Sequence, residues 1–399
     1  MRKIILFITT IVAVNSLFGS KAFGEPHPSP PSLESEAAIL LERNSGQVLF
    51  DKNANSQMYP ASVTKIATAI YAIETGNLDD IVTISSNARA KNVEGTTVYL
   101  EEGEKVTLKE LIQGLLINSG NDAGVAIAEH LNGSEEQFSK DINTYLKNVI
   151  GVQDTNFENP HGLFNSEHRT TAEDLARITR YAMKNETFRE IFGTKELEWN
   201  GQTWDTTILS HHKLVKEEIP YKGVTGGKNG YVNQSGYTLA TTAERDGLSL
   251  IVITLKGSMK NVPYDDTIKL LDYGFENYRT SIISKGTKFK VEDQEYTASE
   301  TIAYTHPKNE QLSKDIKEDG TMEIIAQDGE VAASYQLEEV SNKTINVKTK
   351  LENTTTNKVR YDTIFDELDP YLAYFSIAFL LSMIGIFYRQ NIYYLRKIK

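Results

Sequence analysis

The 399-residue chain contains no cysteine. That excludes a disulfide framework, thiolate catalysis, Cys-ligated zinc and Cys-ligated iron–sulfur clusters. Basic residues are in deficit: 42 Lys and Arg against 54 Asp and Glu leave a formal charge of −12. No general attraction to nucleic acid is expected from so acidic a chain. Histidine is scarce as well. The seven, at 27, 130, 161, 168, 211, 212 and 306, include no His-x-x-x-His or similar metal spacing, which argues against a zinc peptidase. No metal or other cofactor is expected. What is there, 40% hydrophobic and 24% charged residues, is the composition of a globular chain long enough for two domains, and wholesale disorder is excluded.

Each end carries an apolar run. Arg2 and Lys3, the run Ile4–Phe18 and the small-x-small site Ala22-Phe23-Gly24 read as a secretory signal over residues 1–24. Its removal takes away three basic residues and no acids, so the charge becomes −12 − 3 = −15. Tyr371–Tyr388 is 18 residues without a charge. As a helix it would reach about 27 Å, just enough for a bilayer core. Arg389, Arg396, Lys397 and Lys399 follow, and the positive-inside rule puts this tail, residues 389–399, in the cytoplasm. The alternatives are an uncleaved N-terminal anchor and a buried core helix. The expectation is a single-pass protein of the cell membrane with everything between the runs outside it.

Residues 25–35, rich in Pro and Ser, read as a solvated linker. Ala37–Leu41 and Gln47–Phe50, separated by Asn44-Ser45-Gly46, predict a hairpin. Helices are predicted over Ser62–Thr75 with a Gly76 cap, Thr107–Ile117, Asp122–Leu131, from Ser134 (a capping box with Gln137) to about Val149, and Thr171–Met183. The pattern then turns β-rich at Gly236–Thr242 and Leu248–Leu255, followed by a helix over Pro263–Tyr278. Two strands, a helical block, more strands and a closing helix define an α+β domain over residues 36–280 with one antiparallel sheet flanked by helices and a helical subdomain. Residues 281–360 are polar, β-branched and helix-poor, which predicts a small β-rich spacer domain before the membrane run.

Three short polar motifs carry candidate chemistry. In Pro60-Ala61-Ser62-Val63-Thr64-Lys65, one helical turn sets Ser62 and Lys65 on the same face. A neutral amine beside a serine can take its proton and make it a nucleophile, and burial or a nearby cation depresses the lysine pKa. Such a spacing is weak alone; Ser210-His211-His212-Lys213 repeats it with no helix start. Ser119-Gly120-Asn121, between two apolar helices, offers a hydroxyl to relay a proton and an amide to hold a substrate. Gly226-Gly227-Lys228-Asn229-Gly230 precedes the β-rich block, where a lysine on an edge strand can bind a carboxylate and glycines admit a substrate backbone.

Order and spacing join them. Ser-x-x-Lys is followed by Ser-x-Asn 57 residues later and by Lys-x-Gly 109 further on, the penicillin-binding signature with one change. From about Glu36 to Tyr278 the chain resembles the low-molecular-weight penicillin-binding D-alanyl-D-alanine carboxypeptidases. The resemblance includes Tyr59 to Lys65, Ser119 to Ala123, Asn159-Pro160-His161-Gly162-Leu163, Thr171 to Leu175 and Asp272-Tyr273-Gly274-Phe275. It implies a β-lactamase/transpeptidase-like fold and a serine-type D-Ala-D-Ala carboxypeptidase acting on peptidoglycan stem peptides. Ser62 would be the acyl-accepting nucleophile and Lys65 its general base. Ser119 and Asn121 would relay protons and position substrate. Lys228, with Asn229, Gly230 and Tyr231, would bind the terminal D-Ala end. The backbone N–H groups of Ser62 and Tyr231 would form the oxyanion hole, and β-lactams would act as covalent inhibitors. His161 is expected to pack near the site and not to act as a base.

The match departs in one place. The family's third motif is Lys-Thr-Gly or Lys-Ser-Gly; here it is Lys228-Asn229-Gly230. Losing one charge-assisted hydrogen bond costs about 1.5–3 kcal/mol, or about 10- to 150-fold in specificity constant. The alternatives to a carboxypeptidase are a DD-endopeptidase cutting cross-links with the same residues, and a weakened paralogue that only binds wall peptides.

Overall fold

The computed structural model describes residues 29–340, all within one compact unit. The expected signal (1–24), the span 371–388 and the tail 389–399 lie outside the described residues. Among the described residues no helix is long and apolar enough to cross a membrane.

In chain order, β1 (Ala37–Glu42) and β2 (Val48–Lys52) precede a 3-10 turn (Ala61–Thr64) that runs into α1 (Lys65–Thr75). Then come β3 (Ile81–Thr83), β4 (Lys105–Thr107), α2 (Leu108–Leu116), α3 (Asn121–Asn132), α4 (Glu135–Tyr145), α5 (Ala172–Ala182) and α6 (Glu186–Phe192). The hairpin β5 (Glu196–Asn200) and β6 (Asp205–Leu209) leads to β7 (Val224–Val232), β8 (Gly236–Arg245), β9 (Leu248–Gly257) and the closing α7 (Val262–Asn277). The main sheet is antiparallel with order β2-β1-β9-β8-β7. β7, which carries Lys228, is therefore an edge strand. β8 and β9 are joined by the two-residue turn Asp246-Gly247, with φ of 50° and 79°, the left-handed pair that matches strand twist in a tight hairpin.

All six residues of β1 are buried, because the sheet is covered on both faces. By strand alternation, Ile39, Ile251, Ile253 and Leu255 join one core with Ile66 and Ile70 of α1 and Ile178 of α5. Ala38, Leu40, Leu250 and Val252 join another with Leu270, Leu271 and Phe275 of α7.

The predicted helices form, with local corrections. The first turn of the Ser62 helix is 3-10, and the α-helix begins at Lys65. Thr107 caps α2 in a reciprocal capping box with Glu110, and Ser134 accepts from the Gln137 N–H at 3.1 Å. Asn121 is the first residue of α3, not part of the connection before it. Gly76 is extended at φ −105°, so it is not there for a left-handed cap. A Cβ on it would lie 2.4 Å from Leu108 Cδ2; the glycine lets α1 and α2 approach. Both two-stranded ribbons, β3–β4 and β5–β6, and α6 fall where the pattern alone shows no element. Three-residue strands 22 positions apart carry no legible period.

Over the described residues from Tyr278 to Glu339 the strands are β10 (Tyr278–Ile283), β11 (Lys288–Val291), β12 (Gln294–Thr297), β13 (Ile302–Pro307), β14 (Ser313–Ile316), β15 (Thr321–Ile325), β16 (Val331–Gln336) and β17 (Glu338–Glu339). They pair as β10-β13, β11-β12-β17 and β14-β15-β16 around a core of Ile283, Tyr296, Met322 and Ile324. The Ser45 and Thr305 hydroxyls meet at 2.8 Å, and Lys308 N–H donates to Asn277 O at 2.8 Å.

Gly76→Ala is expected to destabilise the fold by about 1–3 kcal/mol through overpacking. The double substitution Gly76→Ala with Leu108→Val, which removes the clashing Cδ2, is expected to recover part of that loss in urea denaturation. Equal stability of the single and double variants would refute the contact as the cause.

Candidate active site

The 3-10 turn, α1, the start of α3 and the edge strand β7 converge on Lys65. This side chain has no solvent exposure. Its Nζ lies 2.9 Å from Ser62 Oγ, 2.7 Å from Asn121 Oδ1 and 2.7 Å from the His161 carbonyl oxygen. The Asn121 amide is oriented by its other end, where Nδ2 donates to Glu94 O at 2.7 Å. Burial and then the charge of Lys228 hold the Lys65 pKa well below the usual lysine value, opposed by Asp122. A neutral amine has two N–H groups and one lone pair. Asn121 Oδ1 and the His161 carbonyl can only accept, so they take the two N–H groups. The lone pair is then left for the one partner able to donate, the Ser62 hydroxyl. The geometry thus sets a base on the serine, with the hydrogen-bond sense decided by its other two neighbours.

The backbone beneath Ser62 is strained and braced. Ala61 has φ +48°. Glu158 N–H donates to His168 Nδ1 at 3.0 Å, so the ring proton sits on Nε2, facing Thr64 Oγ1 at 2.8 Å; Thr64 in turn donates to Ala61 O at 2.8 Å. Burial pushes the His168 pKa down to about 3, so the ring stays neutral and stacks on Phe157 at 4.8 Å. The loop Asn159–Leu163 closes over the same place. Asn159 Oδ1 accepts from Gly162 N–H at 2.7 Å, and Thr68 donates to Pro160 O at 2.7 Å. Gly162, at φ +86°, leaves room for Ala61: a Cβ there would lie 1.9 Å from Ala61 O.

The Ser-x-Asn turn is also strained, with Ser119 at φ +63° and buried. Asn121 N–H donates to Thr96 O at 2.7 Å. The next residue, Asp122, is fully buried and accepts from the N–H groups of Val98, Leu100 and Ala123 at 2.9–3.1 Å. Burial raises its pKa against these three bonds. Asp122 thereby fastens the 94–100 segment along Asn121.

β7 places the third motif. Lys228 is buried, and burial pulls its pKa down to about 7; its Nζ donates to Asn229 O at 2.8 Å. Gly230 lets the strand pass the nucleophile, since a Cβ there would lie 2.7 Å from the Ser62 amide nitrogen. Tyr231 is half exposed, with its ring 4.5 Å from that of Tyr237. Ser62, Lys65 and Asn121 are thus directly bonded, Lys228 acts on Lys65 through its charge, Gly230 abuts Ser62, and Ser119 lies at the head of α3. The second Ser-x-x-Lys copy forms no such pair: Lys213 lies over the Tyr264 ring at 5.6 Å. Among the described residues no group of three His, Asp or Glu side chains is placed to hold a metal ion.

Two contributors were not legible beforehand. The His161 carbonyl holds Lys65, whereas its ring faces Glu135 at 3.3 Å; a backbone acceptor leaves no mark in residue type. Asp122 had a signal, an acid directly after Asn121 and just before the apolar run Ala123–Ala128.

A serine paired with a buried lysine, a Ser-x-Asn turn and a lysine-bearing edge strand on this antiparallel sheet define a serine acyl-transfer enzyme of the penicillin-binding fold. Comparison with known proteins gives the family. Residues 25–259 match the model of D-alanyl-D-alanine carboxypeptidase, peptidase family S11. The chain is 32% identical over 330 residues to D-alanyl-D-alanine carboxypeptidase DacF of Bacillus subtilis, covering 75% of this chain and 83% of that one. It is 30% identical over 322 residues to DacD of Escherichia coli, covering 76% and 79%. Among solved structures it is similar to penicillin binding protein 6B of E. coli (TM-score 0.67, 28% identity, 79% of this chain and 98% of that one). Penicillin binding protein 5 of Haemophilus influenzae shares the fold at a TM-score of 0.70, 24% identity and 78% and 98% coverage. The chain belongs to the D-alanyl-D-alanine carboxypeptidase family of serine peptidases.

Gly162→Ala is expected to lower stability by at least about 3 kcal/mol, from left-handed strain plus the clash with Ala61. It is also expected to slow penicillin acylation, because Ala61 carries the turn that holds Ser62. Thermal denaturation and acylation kinetics check this; a variant with unchanged melting and acylation would show that the loop does not brace the nucleophile.

Proposed function

We propose that this protein is a serine-type D-Ala-D-Ala carboxypeptidase that removes the terminal D-alanine from peptidoglycan stem peptides through an acyl-enzyme on Ser62. The observation that carries this is Lys65 Nζ, buried and held by two carbonyl acceptors with Ser62 Oγ as its third neighbour. Lys65 takes the Ser62 proton as Oγ attacks the penultimate D-Ala carbonyl, and the C–N bond breaks as a proton reaches the leaving nitrogen. Ser119 relays protons and Asn121 positions the substrate. The N–H groups of Ser62 and Tyr231 stabilise the oxyanion, a contribution of about 3 kcal/mol each. Lys228, with Asn229 and Gly230, receives the terminal carboxylate. Water then hydrolyses the ester. β-Lactams occupy the same site and stop at the acyl stage.

The two end runs support an extracytoplasmic place of action on a C-terminal membrane anchor, and wall peptide is the substrate available there. Intact cells producing the full chain are to be labelled with a membrane-impermeant biotinylated penicillin. One adduct per chain is expected in the membrane fraction, absent from Ser62→Ala. No labelling of folded protein after lysis would overturn the enzyme reading, and labelling only after lysis would overturn the location.

The working state has Lys65 neutral and Lys228 charged. Lys65 regains its proton as pH falls through its depressed pKa, and Lys228 loses its charge as pH rises through about 7. The kcat/KM profile for D-Ala release is therefore expected to be bell-shaped, its limbs belonging to the coupled pair. Lys228→Arg, which keeps its charge, is expected to move the alkaline limb up by at least about one pH unit. An unmoved limb would remove Lys228 from that role.

A further inference from the structure

Of the three groups around Lys65 Nζ, two have an evident support. One helical turn places Ser62, and Glu94 O orients the Asn121 amide. The third is the carbonyl of the His161–Gly162 peptide, on the Asn159–Leu163 loop. A glycine at φ +86° on one side leaves that peptide soft to rotation. Its N–H end is held, since Gly162 N–H donates to Asn159 Oδ1 at 2.7 Å. Its other end is the Cα of His161, and the His161 side chain decides how firmly that atom is fixed.

The side chain is buried. A Cβ on Gly124 of α3 would lie 3.5 Å from His161 Cβ, so the residue packs on that helix. Nδ1 accepts from Leu163 N–H at 3.3 Å, which leaves the ring proton on Nε2. Burial pulls the ring pKa below the usual histidine value and favours this neutral form. Nε2 faces Glu135 Oε2 at 3.3 Å. Glu135 is the first residue of α4, and the same helix grips the chain a second time. Asn143 exchanges two hydrogen bonds with Phe157, Nδ2 to the carbonyl at 2.9 Å and Oδ1 from the N–H at 2.8 Å. α4 thus splints the segment from Phe157 to His161 at both ends.

Resting on the acyl-transfer reading of the site, we propose that Glu135 is a positioning residue for catalysis: by fixing the His161 ring it holds the His161 carbonyl on Lys65 and so keeps the amine lone pair on Ser62. Without that acceptor a neutral Lys65 is free to turn an N–H toward Ser62 Oγ. The serine then accepts where it must donate. The carbonyl acts on the amine and not on the substrate, so the loss falls on the chemical step. What counts is reach and an acceptor atom, not the charge of Glu135.

The test uses the purified full chain with diacetyl-L-lysyl-D-alanyl-D-alanine. It measures kcat and KM for D-alanine release, below the melting temperature of every variant. Glu135→Ala is expected to lower kcat by about tenfold or more and to leave KM within about twofold. Glu135→Asp keeps the charge and the helix start but falls one methylene short of Nε2, and is expected to behave as Glu135→Ala does. Glu135→Gln keeps the reach and an acceptor oxygen, and is expected to stay within about threefold of wild type. In a His161→Ala background Glu135→Ala is expected to cost less than about twofold more, because the ring it acts through is gone. Wild-type kcat in Glu135→Asp or Glu135→Ala would overturn the inference while leaving the reaction intact. So would equal losses in Glu135→Gln and Glu135→Ala, or independent losses in the double variant. D-Alanine release by the wild-type protein no higher than by Ser62→Ala would overturn the assigned reaction and this inference with it.

Discussion

A primary amine taken wholly out of water keeps a proton only at a large desolvation penalty. Lys65 is in that position, at the meeting point of the 3-10 turn, α1, α3 and the Asn159–Leu163 loop. Its place constrains all four. The turn must present Ser62 Oγ at 2.9 Å, α3 must begin at Asn121 so that its amide oxygen reaches Nζ, and the loop must turn the His161 carbonyl inward. Burial pushes the lysine pKa down and so favours the free base, and the two fixed acceptors aim its lone pair at the serine. The charge of Lys228 adds to the effect of burial on Lys65.

The strain in the structure collects around that amine. Ala61 and Ser119 both have positive φ without being glycine, a conformation that costs on the order of 1–3 kcal/mol each and persists only where neighbours over-determine it. Here they do. Ala61 is held by Thr64, itself bonded to a His168 kept neutral by burial, and Ser119 precedes a helix whose second residue, Asp122, binds three backbone N–H groups. Two glycines give the room: Gly162 beneath Ala61 and Gly230 beside the Ser62 amide.

Much of this was legible from the chain, and the reason differs from element to element. α4 announces itself through its cap, Ser134 with Gln137, because orphan N–H groups are satisfied by side chains within three residues, although Gln137 spends its own amide on Asp141 and leaves the box half formed. The β8–β9 hairpin is visible in Asp246-Gly247. By contrast β3–β4 and β5–β6 are stabilised by packing that no local pattern records, and Gly76, which looks like a helix stop, is a contact with Leu108. In the site, Ser62, Lys65, Ser119, Asn121 and Lys228 are named by spacing. The His161 carbonyl is not, because every residue has one, and Asp122 is marked only by being an acid just before an apolar run.

The sequence by itself determined which functional groups are present and in what order: a Ser and a Lys one turn apart, a Ser-x-Asn between two helices, a Lys followed by Asn instead of Thr on a glycine-rich strand. These are covalent facts, and short-range ones where helix periodicity brings Ser62 and Lys65 together. Which lysine becomes a base, and which carbonyl holds it, only the tertiary structure decided. Protonation and hydrogen-bond satisfaction depend on what surrounds a group in space. Segments 56 residues apart (Lys65 and Asn121) and 96 apart (Lys65 and His161) close around one nitrogen.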